Sequence, residues 1–103
     1  MPYNPPMSRS MVERRISAVA ERLKGLRAEL AVLDEQLAFF RDAADETRIK
    51  ALVSETPLAD REHQEAQRHA DAMTRARDDL VASIAQLERS QDELLDRLLA
   101  EAG

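Results

Sequence analysis

The sequence predicts an all-α fold: an antiparallel two-helix coiled-coil hairpin that pairs with a second copy into a four-helix dimer. Three observations carry that reading. The 103 residues hold two Gly, three aromatics and no Cys, too few turn formers and core aromatics for a sandwich or barrel. Two long stretches lack helix breakers apart from one Gly. Along both, apolar residues recur at alternating intervals of three and four.

The first nine residues contain Pro2, Pro5 and Pro6 but no apolar core of a secretory signal. They are expected to form a disordered tail, residues 1–9. The helical hairpin then occupies 10–103. Its first helix is predicted over about 10–53, with Ser8 or Ser10 as N-cap, because a short hydroxyl side chain accepts from the free N–H groups of the first turn. Gly25 is the one break in its helix-forming composition. A turn is expected over 54–57, where Ser54-Glu55-Thr56-Pro57 stands. Pro57 cannot continue a helix and disfavours helical geometry at Thr56. The same proline suits the first turn of a second helix, predicted over about 57–102. Each helix would be about 65 Å long at 1.5 Å per residue. So short a link makes the two helices antiparallel neighbours.

The apolar seam fixes the register. In the first helix it runs through Val12, Ile16, Val19, Leu23, Leu26, Leu30, Leu33, Leu37, Phe40 and Ala44, then Thr47 and Ala51. In the second it runs through Ala59, His63, Ala66, Ala70, Met73, Arg77, Leu80, Ile84, Leu87, Gln91, Leu94 and Leu98. This is a heptad pattern of the left-handed supercoil type. Val12 pairs with Leu98, Leu23 with Leu87, Phe40 with Ala70, and Ala51 with Ala59. Every such pair is equidistant from residue 55, inside the break found independently from turn chemistry. Flanking charges near the turn agree, with Arg48 opposite Asp60 and Lys50 opposite Glu62. At the far end they do not, since Arg15 falls opposite Arg97.

Three seam positions are polar: His63, Arg77 and Gln91, opposite Thr47, Leu33 and Val19. They are read as register-setting layers, with Arg77 reaching towards Asp34 or solvent. His63 and His69 are six residues apart and so face different ways round a helix. With Asp60-x-x-His63 occurring once, no metal site is expected. No Gly-rich phosphate loop, catalytic Cys or enclosed architecture is foreseen. The chain is therefore expected to be no enzyme, with no catalytic residues, cofactor or small-molecule substrate.

Charge narrows the partners. The chain carries 20 acidic and 15 basic residues, net −5, with the excess in the second half. Such a chain gains little from counterion release on nucleic acid. The one basic stretch, Arg9 to Arg27, lacks interleaved aromatics to stack bases. No run of apolar residues is long enough to span a membrane. A cytoplasmic protein without nucleic-acid or membrane partners is expected.

What remains is protein interaction. The back of the first helix reads Met11, Ala18, Gly25, Val32, Phe39, Glu46 and Val53 at seven-residue intervals, largely apolar where a lone hairpin would present charge. The second helix adds Val81, Leu95 and Leu99. Met11, Val32, Phe39, Val53, Val81, Leu95 and Leu99 are therefore the predicted partner or oligomer interface. An adaptor, scaffold or oligomerisation element acting through this face and the hairpin tip is the first functional expectation, with a homo-oligomer and an unidentified protein as its partners.

The tip supplies the alternative. Around Pro57 it carries Glu55, Asp60 and Glu62. In shape and tip acidity the chain is similar to the N-terminal hairpins of Gre-type transcript-cleavage factors. That resemblance implies a regulator that inserts an acidic tip into a large machine such as RNA polymerase. Secreted hairpins with a Trp-x-Gly turn are a poorer match, since Ser54-Glu55-Thr56 stands at the turn here.

Overall fold

The computed structural model describes residues 8–102, with side chains to residue 100. It is all-helical. Two long helices, α1 (Arg9–Ser54) and α2 (Pro57–Ala102), pack against each other as a hairpin. Most of the predicted tail, residues 1–7, lies outside the described residues. The helix begins at Arg9, earlier than the tail read over 1–9 allows. The reason is local: Ser8 is the cap. Its Oγ accepts from the Met11 N–H at 3.3 Å and its carbonyl accepts from Val12 N–H at 3.0 Å, which satisfies donors that a first helical turn leaves open.

The link is Glu55-Thr56, shorter than the turn over 54–57 that the sequence suggests. Both sides of it are capped. Glu55 N–H donates to the Ala51 carbonyl at 3.1 Å while Glu55 itself turns left-handed, φ 50°. This is the single-bond left-handed helix stop, usually given to Gly or Asn. With a glutamate there the conformation costs about 1–2 kcal/mol. Thr56 then caps α2: its Oγ1 accepts from Ala59 N–H at 3.2 Å and its carbonyl from Asp60 N–H at 3.1 Å. Pro57 opens α2, where its missing N–H costs nothing.

The chain divides into two compact units. One comprises the chain up to Arg27 and from Ala82 onward. Its buried side chains are Val12, Leu23, Leu26 and Ile84, with Ile16, Val19, Leu87, Leu94 and Leu98 half-buried. Arg27 pairs with Glu88 at 3.7 Å across the two helices. The other unit is Ala28–Val81. Its buried residues are Leu37, Ala44, Ala51, Ala59 and Ala70. Phe40, Thr47, His63, Met73, Arg77 and Leu80 are half-buried beside them. Among the described residues every buried side chain belongs to the seam read from the sequence, and no seam position is exposed.

No helix among the described residues is long and apolar enough to cross a membrane.

Candidate interaction surface

The polar seam positions come first, because they show how each layer is satisfied. Thr47 Oγ1 donates its one proton to the Ala44 carbonyl at 2.8 Å. It can then only accept from His63, whose Nδ1 lies 3.4 Å away. The His63 tautomer that fits carries its proton on Nδ1. Arg77 Nε donates to Asp34 Oδ1 in a charge-assisted bond across the helices, so the guanidinium leaves the seam by its stem and finds a carboxylate at the edge. Gln91 is half-buried. No buried side-chain nitrogen or oxygen among the described residues lacks a partner.

The flanking charges divide. Lys50 meets Glu62 at 3.6 Å, whereas no ion pair joins Arg48 to Asp60 among the described residues. Glu62 is thus half-buried and partnered, and the tip acidity open to solvent is that of Glu55 and Asp60. Asp60 sits in the first turn of α2, where a carboxylate is favoured by the helix dipole. Asp60 and Glu62 therefore have local structural roles, and Pro57 is exposed.

Around the same link the structure exposes a cluster that charge-based reading missed. Ile49, Leu52, Val53 and Leu58 are all largely exposed, Leu52 at 67% and Val53 at 80%. Only Val53 belongs to the predicted interface. The signal was present in the sequence: Ile49, Leu52 and Leu58 are large apolar residues that the seam register leaves off the seam.

Elsewhere in that unit, Val32 and Phe39 stand on the outer side of α1, Phe39 at 68% exposure, and Val81 is less open at 39%. Phe39 is positioned by its neighbours: its ring meets that of Phe40 edge-on at 5.3 Å and 84°. Phe40 in turn stacks on His69 at 4.0 Å and 16°. In the other unit Met11, Leu95 and Leu99 are exposed, Leu99 at 70%.

Concave features are shallow. In the first unit Arg15, Val19, Leu94 and Arg97 line an open groove, the two arginines on the same groove as the register required. In the second, His63, Gln64, Gln67 and Arg68 line another. No group of three or more His, Asp or Glu able to hold a metal ion occurs among the described residues.

Comparison with known proteins finds no family model, curated protein or solved structure that matches this chain.

Proposed function

We propose that this chain is a non-catalytic coiled-coil interaction module. It acts as adaptor, scaffold or oligomerisation element through the outer face of α1 and the apolar surface beside the link. The observation that carries the proposal is the placement of large apolar side chains. Val32, Phe39, Leu52 and Val53 are more than half exposed, while alanines fill much of the neighbouring seam. A surface apolar residue is ordinary when single. Here they recur along one helix and cluster at one end of it, the pattern of a face that a partner covers. Self-association into a four-helix dimer is the simplest use of that face.

The test uses the full chain, immobilised and offered to its source extract and to itself. Phe39→Glu and Leu52→Gln are expected to abolish capture with helix content unchanged. Capture that survives both substitutions overturns the proposal.

A second reading has the link end enter a larger machine. Exposure of Glu55 and Asp60 favours it. Glu55→Gln with Asp60→Asn would then remove activity on that machine while leaving the Phe39 face competent. The exposed apolar residues near those carboxylates fit the first reading better, since a tip acting through its acids alone leaves them uncovered.

A further inference from the structure

We propose that the groove between Arg15 and Arg97 is a docking site for an acidic protein segment, one carboxylate side chain set between apolar neighbours. The site lies wholly within the first unit. It is a second surface, beyond the apolar face that the proposed function uses.

The seam register is the starting point. Arg15 stands five heptads before Lys50, and Arg97 stands five heptads after Glu62. By register the two pairs therefore occupy the same flank of the seam. Near the link that layer holds opposite charges, and Lys50 meets Glu62 at 3.6 Å. In the first unit the corresponding layer holds two guanidiniums, both on one groove. Like charges so placed repel. Neither arginine has an ion-pair partner among the described residues.

The other charge lining the groove is Glu93. It stands four residues before Arg97 and so on the same side of α2. No ion pair joins it to either arginine among the described residues. One carboxylate against two guanidiniums leaves one positive charge in excess, which a ligand with a single carboxylate balances. A polyanion such as nucleic acid would meet Glu93, with Asp92 and Asp96 next to it along α2.

Between the charges Val19, Leu87 and Leu94 line the groove, each half-buried. They keep apolar area that the apolar side chains of a segment can cover. Arginine is the apt cation for such a place. Its planar fork takes a carboxylate by two parallel bonds, and its weak hydration makes it easier to bring beside apolar surface. The groove is open, which fits a segment laid along it better than a small molecule that must be surrounded.

The test titrates the full chain into a labelled, blocked helical peptide with one Glu inside a leucine stripe, followed by fluorescence anisotropy. The Glu peptide is expected to bind, and its Gln counterpart about tenfold more weakly. Arg15→Gln and Arg97→Gln should each weaken binding by a similar factor. Neither should lower the melting temperature, because each relieves a like-charge contact. Glu93→Gln should tighten binding, Arg75→Gln in the other unit should leave it unchanged, and added salt should weaken it. No binding of the Glu peptide, or equal binding of the two peptides, overturns the proposal. So does binding indifferent to both arginine substitutions, or a DNA duplex or hexadecanoate that displaces the peptide better than unlabelled peptide does. Binding lost in Phe39→Glu but kept in Arg15→Gln overturns the groove and leaves the α1 face standing.

Discussion

The seam around Leu23 and the seam around Ala70 are built from different material. In the first unit the buried positions are Val12, Leu23, Leu26 and Ile84, branched side chains that each remove a large apolar area from water. In the second, four of the five buried positions are alanines, and Leu37 is the exception. A buried alanine contributes a methyl group. Phe40, Met73 and Leu80 are half-buried there, while Ile49, Leu52, Val53 and Leu58 near the link are exposed. Both units expose some large apolar residues, but the fully buried positions are branched side chains in the first and mostly alanines in the second. The difference is one of how much apolar area each fully buried position removes from water.

Substitutions break or sharpen that contrast, beginning with the largest effect. Leu23→Ala removes a side chain that is 1% exposed and should cost about 2–5 kcal/mol in urea unfolding. A loss under about 1 kcal/mol would mean that the first unit does not depend on its branched seam. Ala70→Leu asks the converse question in the second unit. Ala70 is 3% exposed, and overpacking there should cost about 1–3 kcal/mol. If thermal melts show stabilisation instead, the alanine seam was merely underfilled. Glu55→Gly should raise stability by about 1 kcal/mol, because glycine accepts the left-handed backbone without strain. No change on scanning calorimetry would show that Glu55 is not strained. The smallest effect is expected on the surface: Leu52→Gln should shift chemical unfolding by less than about 0.5 kcal/mol at concentrations too low for association. A larger loss would mean that Leu52 packs within its own chain.

Most of the fold was legible because it follows from period and punctuation. Seven-residue spacing marks the seam regardless of which side chain fills each position, so Thr47, His63 and Arg77 were found along with the leucines. Pro57 marked the second helix for the same kind of reason: its ring and missing N–H act locally. The left-handed backbone at Glu55 was not legible. Such a stop is ordinarily announced by glycine, and here a glutamate is held there by the capping bonds on both sides. The apolar cluster beside the link escaped for another reason. Charges at Glu55, Asp60 and Glu62 drew attention to acidity, yet Glu62 is partnered by Lys50. The apolar residues near them, Leu52, Val53 and Leu58, are the largely exposed ones, and their place off the seam was the signal to read.

The two-residue link has a consequence for chain topology. Glu55 and Thr56 are the only residues between α1 and α2, and with Pro57 they are all that keeps two helices from continuing as one. Alanine at all three positions would remove the left-handed stop, the hydroxyl cap and the ring together. The helix would then run straight through, and the seam could no longer close on its own chain. It would close on a neighbour's, exchanging identical arms with the seam pairing preserved. The link thus acts as a valve between intramolecular and exchanged assembly.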